Sequence, residues 1–223
     1  AYRGAGRPEA PFYIERIMDM LADASGIDPA EIRRRNFIQP DQFPYTTLTE
    51  EVYDSGEYEK ALDKVLEISD YKRLRAEQAQ LREEGRYIGI GLVSYVEICG
   101  FGPFESSTVR VEPSGAVSIF TGISPHGQGQ ETTFAQMAAD AIGADFDAIV
   151  VHHGDTGNTP QGHGTMGSRG LAVGGAALRM SLDIIHEKAK RVAANMLEAS
   201  PEDIELVDGR YRVKGVPTEG VSL

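Results

Sequence analysis

Apolar residues recur at helical spacing near the start of the chain. Ile14, Ile17, Met18 and Leu21 form an i, i+3, i+4, i+7 stripe, Pro11 suits a first turn and Gly26 marks a stop, so a helix is predicted over about 11–25. Asp28-Pro29-Ala30-Glu31 predicts a second, short helix with an aspartate cap, a proline in the first position and a glutamate in the third, ending near Asn36. Residues 37–54, with Pro40 and Pro44, read as irregular. Ser55 is a candidate cap for a helix over about 57–69, with Tyr58, Leu62, Val65 and Leu66 on one face. Asp70 is a candidate cap for the next, from Tyr71 to about Glu84. Its main apolar anchors are Leu74 and Leu81, so it reads as a solvated surface helix ended by Gly85.

The pattern changes at Gly85. RYIGIGLVSYVEI is rich in β-branched and aromatic residues and predicts a strand. STVRVEP and AVSIFTG flank Pro113-Ser114-Gly115, a hairpin signal. QETTFAQMAADAIG predicts a helix ended by Gly143, and DAIVVHH a short apolar strand. A glycine-rich loop over 154–168 leads into a long helix of small residues from about Arg169 to Ala199. Ser200-Pro201-Glu202-Asp203 begins a single turn, and IELVDGRYRVKG predicts a second hairpin turning at Asp208-Gly209. Strands and helices mix without strict βαβ alternation, which predicts an α+β fold of mixed sheets packed with helices. The boundary is expected near Gly85, giving parts 1–85 and 86–223.

Composition narrows the function classes. A hydrophobic content of 41% supports a real core rather than wholesale disorder. The net charge of −12 argues against a nucleic-acid binder, which needs Lys and Arg to neutralise phosphates. Cys99 is the one cysteine of the chain, so an internal disulfide framework and a cysteine-built zinc or iron–sulfur site are excluded; it is expected to be a buried, inert thiol. No apolar run reaches the ~18 residues of a membrane span. Arg33-Arg34-Arg35 read as local ion-pair partners.

Three glycine-rich loops carry the candidate chemistry: AYRGAGR over 1–7, SPHGQGQETT over 124–133, and HHGDTGNTPQGHGTMGSRG over 152–170. Glycine lets a backbone approach a ligand, and helix N-termini present free N–H groups to anions. Gln128 and Gln130 add amides, and Thr165 and Ser168 add hydroxyls beside Arg169. Together they suit a ligand with phosphates and a hydrogen-bonding heterocycle. Gly174-Gly175 inside the long helix costs about 1 kcal/mol per glycine relative to alanine, so close packing against the sheet or a cofactor is expected there. His126, His152, His153 and His163 lie near the loops, but HExxH is absent and adjacent strand residues His152 and His153 face opposite ways, so no protein-ligated metal is expected. Asp155 reads as a turn residue.

In this order, AYRGAGRPEAPFYIERIMD, YIGIGLVSYVEICGFGPFESSTVRV, GQGQETTFAQMAADAIG and GTMGSRG resemble the molybdenum hydroxylases, the xanthine dehydrogenase/aldehyde oxidase family. Within it they are similar to the molybdopterin-binding large subunit of aerobic carbon monoxide dehydrogenases. The resemblance implies that Gln128 and Gly129 contact the pterin and the molybdenum centre. It implies that Thr165, Gly167, Ser168 and Arg169 hold the cofactor, and that Arg3 and Gly4 pass close to the metal. In carbon monoxide oxidisers the last loop resembles AYRCSFR and its cysteine holds copper. Gly4 stands at that position here, which implies the copper-lacking form. His126 and Gln130 vary the residues usual around GQG, and Gly157 stands where an aspartate is common.

The resemblance further implies a hydroxylation of a small carbonyl, N-heterocyclic or CO-like substrate with water as oxygen source. The cofactor it implies is molybdopterin with molybdenum, expected in the cytosine dinucleotide form. Iron–sulfur clusters and FAD are expected on partners, an iron–sulfur small subunit and an FAD-binding medium subunit, in a cytoplasmic dimer of heterotrimers. The family's general-base glutamate, in a GEP-type motif, and a GGFG-type cofactor loop are expected outside these 223 residues. The chain is therefore expected to be a fragment, joining the end of one molybdopterin-binding domain to the start of another, and inactive alone. Two other classes stay open: a non-molybdenum phosphate- or nucleotide-binding enzyme, and a non-catalytic subunit-assembly fragment whose first helix and acidic surface serve docking.

Overall fold

The computed structural model describes residues 4–216 and 220–223, as two compact units that divide between Val96 and Glu97. The first unit is mostly helical. Helix α1, Glu9–Ser25, starts just after Pro8 and stops at Gly26, whose φ of 65° ends the helix in a conformation glycine adopts without strain. In α2, Pro29–Asn36, the Asp28 carboxylate accepts from the N–H groups of Ala30 at 2.8 Å and Glu31 at 3.4 Å, as the cap signal predicts. The arginines of α2 are ion-paired. Arg33 is buried and reaches Glu15 at 2.6 Å and Asp19 at 2.8 Å, Arg34 reaches Asp63 at 2.5 Å, and Arg35 reaches Glu31 at 2.8 Å.

That pairing decides which face of α1 is buried within its unit. A buried guanidinium must keep its carboxylate partners, so Glu15 and Ala22 turn inward while Ile14, Ile17 and Leu21 of the apolar stripe stay exposed. The segment read as irregular holds a 3₁₀ turn at Pro40–Gln42 and a small antiparallel pair, β1 Tyr45–Thr46 with β2 Val52–Tyr53. Helix α3, Tyr58–Ile68, starts after Glu57 without a side-chain cap; the Ser55 hydroxyl bonds the Asp54 carboxylate instead. Helix α4, Tyr71–Glu83, follows Asp70, which takes a left-handed φ of 48° and pairs with Arg73 rather than capping.

The expected strand over 86–98 does not form. Ile88, Ile90 and Leu92 are half-buried between exposed neighbours, so the period of two is there, but no strand pairs with it among the described residues. Alternation records which face of a segment is buried; a strand also needs a ladder partner. Cys99, expected to be buried, is exposed at the end of this segment.

The second unit holds two sheets. In the first, β3 Ser107–Val111 runs antiparallel to β4 Val117–Thr121, and β4 runs parallel to β5 Ile149–His152. Helix α5, Gln130–Ile142, is the crossover between the two parallel strands. Val117, Ile119 and Ile123 from β4 and its end pack with Phe134, Ala138 and Ile142 of α5 and with Leu178 and Leu182 of helix α6, Ala176–Met196. A second sheet joins β6 Ile204–Val207, β7 Arg210–Val213 and β8 Gly220–Ser222, the last unforeseen, and its Ile204 and Tyr211 pack on Ala193 and Ala194 of α6. The architecture is α+β.

The long helix predicted from Arg169 is not uniform. Gly170–Gly175 turns as a wider π helix before α6 begins. A Cβ on Gly174 would collide with Ile123 Cγ1, and one on Gly175 would stand 2.8 Å from Leu171 Cδ1. Gly174 therefore lets the helix start press against Ile123 at the end of β4, while Gly175 leaves room for Leu171 one turn back, and this close packing offsets their propensity cost.

Candidate cofactor-binding site

Because β4 and β5 are parallel neighbours, their carboxyl ends lie side by side. The loop 122–129 leaves β4 there and enters α5, and the loop 153–169 leaves β5 there and enters the π turn. Ligands of parallel sheets bind outside the carboxyl ends of the strands, where loops diverge and helix N-termini offer N–H groups. The loops touch at their roots. A Cβ on Gly122 would stand 2.7 Å from Gly162 Cα, and one on Gly154 would stand 3.6 Å from Ser124 Oγ.

In the first loop, Gly127 and Gly129 have φ of 93° and 80°, and nothing lies within 4 Å of where a Cβ would sit on either. Gly129 caps α5, and its carbonyl accepts from the Thr133 N–H at 3.0 Å and hydroxyl at 3.1 Å. Gln128 is exposed, with its side-chain oxygen accepting the His126 N–H at 2.5 Å. Gln130 opens α5, and its amide nitrogen lies against Gly170, where a Cβ would come within 2.7 Å of it. The Gln130 oxygen is buried without a hydrogen-bond partner.

The second loop begins with a tight turn. Asp155 accepts from the N–H of Gly157 at 2.9 Å and the amide of Asn158 at 2.6 Å, which hold its carboxyl below the usual range, so it acts as the turn residue expected. His152 stacks on Phe120 with ring centroids 4.6 Å apart, whereas His153 Nε2 meets Glu131 Oε1 at 2.8 Å and holds the Glu131 carboxyl down. The two histidines thus make separate contacts. Further along, Gly167 and Ser168 are both left-handed, with φ of 52° and 53°. For serine this conformation is strained. It is held by the N–H groups of Phe101 and Gly100, which donate to the carbonyls of Gly167 at 3.2 Å and Ser168 at 3.3 Å. The Thr165 hydroxyl is buried without a partner.

Arg169 is fully enclosed and bonds protein oxygens. It donates to the carbonyls of Phe101 at 2.9 Å, Phe104 at 2.9 Å and Gly164 at 2.8 Å, and it pairs with Glu105. The structure thus brings Gln128, Gly129, Thr165, Gly167, Ser168 and Arg169 to two adjoining loops of one unit. Gly4 belongs to the other unit, and Arg3 lies outside the described residues. Glu105 was not singled out by the sequence. It is one carboxylate before β3, and its partners lie 58 and 64 residues away, so no local spacing marks it. Gln130 was visible as an amide next to GQG, but its burial was not.

A sequence model of the molybdopterin cofactor-binding domain matches residues 64–223, and a second model with the same description matches residues 1–37. The chain belongs to the molybdopterin cofactor-binding domain family. The chain is 43% identical, over 96% of its length, to 29% of the carbon monoxide dehydrogenase large chain of Hydrogenophaga pseudoflava. Its fold matches the reconstituted CO dehydrogenase of Oligotropha carboxidovorans with a TM-score of 0.85 and 38% identity, covering 96% of this chain and 29% of that one. It matches quinoline 2-oxidoreductase of Pseudomonas putida 86 with a TM-score of 0.84 and 35% identity, covering 95% and 28% of the two chains. The chain therefore spans under a third of the length of these relatives.

The residues present fit a molybdopterin. Open glycines at 127 and 129 let backbone amides face a large ligand, and the α5 N-terminus suits phosphate. Two of the buried polar atoms without a protein partner, Gln130 Oε1 and Thr165 Oγ1, are an acceptor and a hydroxyl that a ring edge rich in N–H and carbonyl groups can satisfy.

Proposed function

We propose that this chain is part of the large subunit of a molybdenum hydroxylase, and that its two glycine loops hold the molybdopterin of the intact enzyme. The observation that carries the reading is the pairing of these loops at the carboxyl ends of β4 and β5, each with a buried polar atom that has no protein partner. Leaving such an atom unsatisfied costs about 1–3 kcal/mol, so a ligand that satisfies it is favoured.

In this reading the backbone of Gly127 and Gly129 faces the cofactor, Gly167 packs on Phe101 and so shapes the second loop around it, Gln128, Thr165 and Ser168 hydrogen-bond it, and Arg169 fixes the second loop from behind. Arg3 and Gly4 are assigned to the same cofactor on the family resemblance alone. Bound molybdopterin supplies the redox-active metal for oxidation of a small carbonyl, N-heterocyclic or CO-like substrate with water as oxygen source. The protein's part is to orient that group and to keep the loop backbone rigid. Gly4 offers no side chain for copper. The general-base glutamate is assigned to another part of the subunit.

The cofactor is assigned the cytosine dinucleotide form. Iron–sulfur clusters and FAD are assigned to a small and a medium partner subunit in a dimer of heterotrimers, from the family resemblance; the single cysteine, Cys99, gives this chain no Cys₄ cluster. The exposed apolar stripe of α1 supports its place within a larger body. No helix among the described residues is long and apolar enough to cross a membrane, and a cytoplasmic location is proposed with the rest. The test is metal and pterin analysis of the purified intact protein. Stoichiometric molybdenum and pterin are expected; their absence overturns the reading.

A further inference from the structure

Four parts of the second unit meet at one carboxylate. The Glu105 and Arg169 side chains are both fully enclosed and pair directly. The same Glu105 oxygen accepts the His163 N–H at 2.8 Å. The other oxygen has no hydrogen-bond partner and lies against Gly122 and Gly162. A Cβ on Gly122 would stand 2.6 Å from that oxygen, and one on Gly162 would overlap it. Arg169 carries the link onward to the carbonyls of Phe101, Phe104 and Gly164. One ion pair thereby joins the segment before β3, the end of β4, the glycine loop at 162–164 and the start of the π turn.

We propose that Glu105 is a positioning residue for cofactor binding. It fixes the loop 162–169 in the shape that receives the molybdopterin, and Gly122 and Gly162 are glycines because the carboxylate needs the room. The inference rests on the cofactor reading above. An apolar plug of the same size would fill the space, but it would leave the His163 N–H without its acceptor and the buried guanidinium without its counter-charge. A carboxylate anchors both at once, with charge-assisted bonds that are directional as well as strong. The left-handed Gly167 and Ser168 are then set in advance of binding, and the bound cofactor adds its own hydrogen bonds to the loop.

The test compares intact wild-type subunit with Glu105→Gln and Gly162→Ala. Each is read by amide hydrogen exchange and by molybdopterin retained after gel filtration well below the melting temperature. The first variant removes the charge; the second crowds the carboxylate and leaves the charge in place. Both are expected to speed exchange over 162–169 at least about tenfold, leave α5 and the middle of α6 unchanged, and lose most of the retained molybdopterin. Wild-type exchange and wild-type retention in Glu105→Gln overturn the proposal while leaving the cofactor reading intact. Exchange that rises throughout the second unit in both variants also overturns it, since Glu105 then supports the core generally. A wild-type subunit without molybdopterin overturns the cofactor reading instead, and the exchange pattern still decides whether Glu105 positions the loop.

Discussion

Gly4 stands against Pro8: with φ of 92°, a Cβ on Gly4 would lie 2.8 Å from Pro8 Cδ. The glycine is therefore required by the backbone as well as lacking a metal ligand. A cysteine at this position would have to shift the turn that carries it, and the left-handed conformation itself costs a side chain about 1–2 kcal/mol. The intact protein is expected to contain no copper by elemental analysis, and Gly4→Cys is expected to lower its melting temperature without adding copper. Copper stoichiometric with molybdenum in the wild type would contradict this.

The orphan hydroxyl of Thr165 separates stability from binding. It is a buried polar atom with no protein partner. Thr165→Val keeps the shape and removes the polar atom, so the apo form is expected to be unchanged or stabilised by up to about 1–2 kcal/mol. Retained molybdopterin should fall at the same time. Melting of apo protein and cofactor content of loaded protein check the two directions. A variant that loses stability and keeps its cofactor would show that the hydroxyl serves packing alone.

Burial drives the Tyr211 phenol from its usual 10.0 up to about 12, with nearby Glu187 adding to the shift. Its hydroxyl lies 3.3 Å from the Ile142 carbonyl and 3.2 Å from His186 Nδ1. The folded state therefore holds the phenolic proton more tightly than the unfolded state does. The associated stability is complete below pH 10 and is lost as pH rises through about 12, amounting to about 2–3 kcal/mol over that window. Denaturant titrations across this range are expected to show a steeper loss for wild type than for Tyr211→Phe. Tyr71 in the other unit is raised to about 12 as well and contributes equally to both proteins. Parallel curves for the two would refute the assignment.

Much of this architecture was legible in the chain because local chemistry decides it. The Asp28 cap, the Pro113-Ser114-Gly115 hairpin and the Gly143 stop each rest on residues within a turn of one another. The glycine loops were legible too, since left-handed positions such as Gly127, Gly129 and Gly167 favour glycine. What escaped depends on distant partners. The strand pattern over 86–98 alternates as expected yet lacks a neighbour to pair with among the described residues. The apolar stripe of α1 promised a buried face, but Arg33 turned Glu15 inward. Arg169 was legible as part of the GTMGSRG loop, but not the partners of its guanidinium, which bonds Glu105 and three carbonyls. No spacing rule links positions 64 residues apart.

Amide hydrogen exchange of the intact subunit, with and without its molybdopterin, tests the central claim most directly. Protection on loading is expected in two stretches, 126–130 and 162–169, with the middles of α5 and α6 unaffected. Protection that leaves both stretches unchanged and appears elsewhere in the chain would contradict the account.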